Sequence, residues 1–163
     1  SQRNMYDFVP HELDLHYTVR NCFGLLEMNA KRKNIELHNE VPQGTHIYAD
    51  DNMITTVMRN LISNAIKFTP EGGSVWCSVQ FKTDSAIVCV KDNGVGIPAN
   101  NIEKIFRIDE SMTTVGTSKE RGTGLGLIIC KEFITKNQGT IWCESEPGKG
   151  SEFKFSLPLE RVQ

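Results

Sequence analysis

Asn60, Asn64 and Lys67 stand at i, i+4 and i+7 of a segment whose apolar residues Ile54, Val57, Met58, Leu61, Ile62, Ala65 and Ile66 recur at helical spacing. Two amides and an ammonium therefore share one stripe of a helix, and the apolar residues share the opposite one. An amide oxygen is a hard ligand suited to Mg²⁺, which keeps several waters and bridges phosphates, while a lysine adds a point charge for the same phosphates. A merely solvated helix face has the same composition. Further on, Asp92-Asn93-Gly94-Val95-Gly96-Ile97-Pro98 directly follows an apolar run. A carboxylate at a strand end can accept a hydrogen bond from an exocyclic amine such as adenine N6, and glycines let backbone approach a ring. The same letters also make a good turn. Gly122-Thr123-Gly124-Leu125-Gly126-Leu127 opens another apolar segment, where successive N–H groups and the positive helix end favour a phosphate. The G-x-G-x-x-G fingerprint fails at Leu127, and the G-x-x-x-x-G-K-[ST] pattern is absent from the sequence.

These segments must be positioned by a core, and 163 residues with 39% hydrophobic content suffice for one domain. The net charge of −2, from 18 basic and 20 acidic residues, gives no overall pull toward nucleic acid or an anionic membrane. No stretch nears the roughly 20 apolar residues of a membrane span. The cysteines Cys22, Cys77, Cys89, Cys130 and Cys143 are scattered and lack zinc-ligand spacing. A reduced, cytoplasmic compartment fits them, with Cys77 and Cys89 expected as small core residues. The cytoplasmic part of a membrane receptor is compatible with the same composition.

The pattern predicts a linker over residues 1–10, a domain over 11–160 and a tail over 161–163. Alternation at Leu13, Leu15 and Tyr17 predicts an edge strand, and Val19, Cys22, Phe23, Leu26 and Ala30 predict an amphipathic helix. Short strands at Ile35–Leu37 and Ile47–Ala49 flank the turn Val41-Pro42-Gln43-Gly44. Asp50 or Asp51 caps the helix carrying Asn60 and Asn64, which runs to Phe68 before Pro70 and Gly72-Gly73. Ser74–Phe81 and Ser85–Val90 form a hairpin, a short helix lies near Asn100–Phe106, and a third long helix follows Gly122–Gly126. Thr140–Glu144 and Ser151–Leu157 close the chain as strands. The expected fold is a two-layer α/β sandwich, a mixed sheet covered on one face by three main helices.

Taken in order, these motifs resemble one family. Asn60 to Thr69 resembles the N box of sensor histidine kinases, Asp92 to Pro98 their G1 box, Ile105-Phe106 their F box and Gly122 to Leu127 their G2 box. Gly148 to Phe153 and Leu157-Pro158 resemble their final hairpin, so the similarity runs from about Phe8 onward. It implies a Bergerat-type ATP-binding sandwich with ATP and Mg²⁺ as cofactors. By position, Asn64 is the implied metal ligand, Asn60 supports the metal and phosphate network, and Lys67 contacts phosphate. Asp92 would hold adenine N6, Gly94 and Gly96 would line the base, and Ile97, Ile102 and Phe106 would wall the pocket. Gly122, Thr123, Gly124, Leu125, Gly126 and Leu127 would hold phosphates, and Ser151 joins the nucleotide-binding set. The stretch 107–121 matches the family's ATP lid, with Arg107, Lys119 and Arg121 as candidates for the γ-phosphate. Ile108-Asp109 departs from the second aromatic often found there.

The resemblance further implies phosphoryl transfer to a histidine on a separate dimerisation domain, followed by a response regulator receiver domain, with no nucleic acid and no direct membrane contact. His11-Glu12-Leu13 mimics the start of the acceptor motif, but Asp14-Leu15-His16 follows where the motif has Arg and Pro. His11 is therefore expected to be a strand residue and not the acceptor. Related ATP hydrolases carry a glutamate base where this chain has Asn60, which weighs against water activation. A serine kinase of the same superfamily, or a domain that only binds ATP, are the remaining readings.

Overall fold

In a computed structural model of the protein, residues 7–107 and 125–159 are described. Strand β1 (Pro10–Asp14) pairs antiparallel with β3 (His46–Asp50) in a small two-stranded sheet. The edge strand expected through Tyr17 ends at Asp14, whose carboxylate accepts the Tyr17 N–H at 3.0 Å. That cap starts helix α1 (Leu15–Arg32) four residues earlier than the periodicity from Val19 suggests. Leu13 and Leu15 are both buried, one below the cap and one above it, which is why they look like strand alternation.

The main sheet has the order β2-β4-β5-β7-β6, made from β2 (Glu36–Asn39), β4 (Ser74–Phe81), β5 (Ser85–Asp92), β7 (Gly150–Pro158) and β6 (Thr140–Glu146). Strand β2 runs parallel to β4, and every other neighbour is antiparallel. The strands flanking the Val41–Gly44 turn thus enter different sheets. Period-2 alternation sends Val75, Cys77, Ala86, Val88, Val90, Phe153, Phe155 and Leu157 inward, where all are buried. Against them lie α1, α2 (Asp51–Phe68) and α4 (Leu125–Lys136), the two-layer sandwich expected. Cys77 is in the core, but Cys89 lies at the opposite parity of β5, half-buried on the uncovered face. His11 lies in β1 opposite Ala49, as expected of a strand residue.

The packing of α2 on α4 sets the geometry of everything that follows. Asp50 caps α2 by accepting the Met53 N–H at 3.0 Å, while its own N–H donates to Asn137 Oδ1 at 2.8 Å, just past the end of α4. Midway, the Cys130 thiol reaches the Val57 carbonyl at 3.8 Å. Near the start of α4, a Cβ added to Gly126 would sit 3.3 Å from Asn60 Oδ1. Contacts that advance along α2 while they retreat along α4 mean that the two helices run antiparallel. Asn137 is only 4% exposed and also donates to Phe133 O at 2.8 Å. Asn137→Ala strips a buried N–H of its partner and should cost about 1–3 kcal/mol. Urea denaturation checks this, and an unchanged midpoint would show that the clamp is dispensable.

Candidate nucleotide site

The register of the sheet carries three inward rungs toward one end. The first runs Val79, Val88, Phe155, Ile141 and the second Cys77, Val90, Phe153, Cys143, both apolar. The third runs Val75, Asp92, Ser151, Ser145. Alternation therefore delivers a carboxylate and two hydroxyls to a position where the preceding rungs place core. Asp92 is 3% exposed and Ser151 6%.

A buried carboxylate needs hydrogen bonds. The Gly94 N–H donates to Asp92 Oδ1 at 2.9 Å, and the backbone of Ser151, paired with Asp92 across the ladder, also favours the charged form. Burial nevertheless wins over both, raising the Asp92 carboxyl from 3.8 to about 6. The group is a strong acceptor held in a place that disfavours its charge.

Two segments converge on α2 beside this rung. The loop after β5 lies on the last turn of the helix: Val95 N–H donates to Phe68 O at 3.2 Å, and a Cβ on Gly94 would come within 2.2 Å of that carbonyl. Glycine is required there by the close approach of backbone to backbone. The start of α4 abuts α2 at Asn60, eight residues earlier, or roughly 12 Å along the axis. Asn60, Asn64 and Lys67 are half-buried on α2, opposite the buried stripe from Ile54 to Ile66. Lys67 Nζ stands 5.2 Å from the centroid of the Phe68 ring.

Ile97 and Ile102 pack half-buried against the core, the latter on the short helix α3 (Ala99–Ile102), and Phe106 meets Phe153 edge-on at 6.2 Å. Gly96 has φ +77°, and a Cβ there would strike the Glu146 carbonyl. Gly126 and Leu127 lie in the first turn of α4, which Leu125 opens. Arg107 is exposed at the end of α3's trailing turns. Arg121, Gly122, Thr123 and Gly124, with Lys119, lie outside the described residues.

A family model described as histidine kinase-, DNA gyrase B- and HSP90-like ATPase matches residues 49–161, a stretch that takes in both the α2 stripe and the polar rung. The chain belongs to this ATPase family. Its ligand is accordingly ATP. The sensor histidine kinase WalK of Bacillus subtilis is 38% identical over 137 residues, covering 82% of this chain and 22% of the relative. The adaptive-response sensory kinase SasA of Thermosynechococcus vestitus is 37% identical over 153 residues, 91% of this chain and 39% of the relative. The chain thus spans well under half the length of these curated relatives. Among solved structures, the nucleotide-free catalytic domain of histidine kinase ThkA superposes with TM-score 0.80 at 31% identity, covering 93% of this chain and 98% of that one. ThkA in complex with the response regulator TrrA gives TM-score 0.76 at 28% identity, over 94% of this chain and 42% of that one.

Within this histidine-kinase-like ATPase fold, sequence reading missed groups that act through backbone or from a distance. Buried Lys33 donates to the carbonyls of Ile66 and Lys67 at 2.9 and 3.0 Å, placing positive charge at the negative end of α2. The Phe68 carbonyl and Ser145 hold the loop after β5. Lysine in a basic run looks solvated, and no side-chain letter announces a carbonyl. Ser145 was accessible from its inward parity.

Because the folded Asp92 pKa is raised, its penalty is absent below 3.8, grows as pH rises through about 6, and is complete above. Asp92→Asn should therefore stabilise the ligand-free protein at pH 7.5, on the order of 1–3 kcal/mol, and much less at pH 4. Thermal melts at the two pH values check this, and an equal effect at both would refute it.

Proposed function

We propose that this chain is the catalytic, ATP-binding part of a sensor histidine kinase. It would hold Mg·ATP for attack by a histidine on a separate dimerisation domain, which then passes the phosphoryl group to a response regulator receiver domain. The observation that carries the reading is the polar rung: Asp92, held by the Gly94 N–H and paired with Ser151, stands at the end of a sheet face whose preceding rungs are apolar, beside α2. That carboxylate would accept the adenine N6 amine, with Gly94 and Gly96 against the ring and Ile97, Ile102 and Phe106 as apolar walls.

From there to the start of α4 is a span that a nucleoside triphosphate crosses along α2. Lys67 would contact phosphate, as would the N–H groups at the start of α4. Arg107 and Arg121 would face the γ-phosphate. The donor set suits Mg²⁺: Asn64 offers a half-buried amide oxygen, and among the described residues no cluster of His, Cys, Asp or Glu forms a metal cage. One protein oxygen completed by waters and phosphates is what this ion prefers. When bound, Mg²⁺ would neutralise phosphate charge, with Asn60 supporting the same network.

In the transfer, the bond from the γ-phosphorus to the bridging oxygen breaks and a bond to an imidazole nitrogen of the partner forms, releasing ADP. The role of this domain is to position and to neutralise. Asn60, being an amide, cannot serve as the base that would activate water instead. The proposed setting is cytoplasmic, and among the described residues no helix is long and apolar enough to cross a membrane.

Mixing the chain with candidate dimerisation domains and γ-labelled ATP should produce acid-labile phosphate on the partner and none on His11. Asn64→Ala should lower that transfer by about 100-fold or more. Full activity in Asn64→Ala would remove the metal assignment.

A further inference from the structure

The loop that carries Gly94 and Gly96 is clasped by the tip of the β6–β7 hairpin, and one side chain makes the clasp. Ser145 Oγ accepts the Ile97 N–H at 2.8 Å and donates to Gly150 O at 2.9 Å. Its single proton is then committed, so the hydroxyl of Ser151, 2.7 Å away, is the donor between the two serines. Both lone pairs and the proton of Ser145 are used, while Ser151 is the partner of Asp92 across the β5–β7 ladder. Backbone contacts close the same junction. Gly148 N–H donates to Val95 O at 2.8 Å, and Gly96 packs so tightly on Glu146 that a Cβ would come within 2.1 Å of its carbonyl.

We infer that Ser145 is a positioning residue for the adenine end of the nucleotide site, setting the distance between the Ile97 wall and the Asp92–Ser151 acceptor. The inference rests on the nucleotide reading proposed above. It deepens that reading by naming a residue that touches no ligand and acts on two that would. The geometry leaves Ser145 one function: it joins the loop to the strand that orients the carboxylate. Without the hydroxyl, the Ile97 N–H loses its partner and Ser151 loses its acceptor, and a nucleotide must pay to order both.

The test is calorimetry of the whole chain with Mg·AMPPNP. Ser145→Ala should raise the dissociation constant about fivefold, the consequence of one unsatisfied, part-buried donor, with binding stoichiometry still at one. Ser145→Thr, which keeps the hydroxyl, should restore the affinity. A merely structural role would lower the stoichiometry, as folded protein is lost, and leave the dissociation constant of the remainder unchanged; that result overturns the inference. Asp92→Asn, measured alongside, separates the two levels. If Asp92→Asn weakens binding and Ser145→Ala does not, the positioning role fails while the site stands. If both bind as the unsubstituted chain does, the nucleotide reading itself fails.

Discussion

A carboxylate on the inward face of a sheet is the constraint from which the rest of the molecule follows. Asp92 occupies a parity of β5 that Ala86, Val88 and Val90 fill with core. Keeping an ionisable group there demands a fixed donor, and the backbone supplies one: Gly94 from the loop ahead, with Ser151 of the neighbouring strand paired alongside. Donors of that kind do not relax away. The carboxylate is consequently preorganised and still poorly solvated, which is the condition in which a further donor from a ligand is worth most.

Around that group, α2 acts as a ruler. Its C-terminal turn receives the Gly94 loop at Phe68, its middle receives the start of α4 at Asn60, and its N-terminus is tied to Asn137 beyond the far end of α4. The polar stripe of Asn60, Asn64 and Lys67 lies on the same length of helix that spans the two docking points. Lys33 beneath the last turn offsets the partial negative charge of the Ile66 and Lys67 carbonyls close to where phosphates would lie. A helix used this way must be rigid, and the fully buried stripe of Met53, Ile54, Val57, Met58, Leu61 and Ile62 makes it so.

Much of this was legible in the residues. The 3.6-residue period of α2, its stop at Pro70, and the hairpin of β4 and β5 follow from pattern alone, because each is a local decision between burial and turn chemistry. The start of α1 was not, since a cap at Asp14 and an alternation across Leu13 and Leu15 write similar letters. Cys89 was misplaced because an apolar run hides which parity faces the helices; only the partners of β5 decide it. At the site, Asp92, Gly94 and Asn60 could be named from their motifs. The roles of the Phe68 carbonyl, Lys33 and Ser145 depend on register between distant strands and helices, which no single segment encodes.

The account stands or falls on whether a nucleotide spans α2 from the polar rung to the start of α4. Titrating ¹⁵N-labelled protein with Mg·AMPPNP and following backbone amide shifts tests this most directly. The account predicts that the largest changes fall together on Gly94, Ser151, Asn64 and Gly126. Saturable changes confined to another face, such as the uncovered side of the sheet around Trp76 and Lys91, would contradict it.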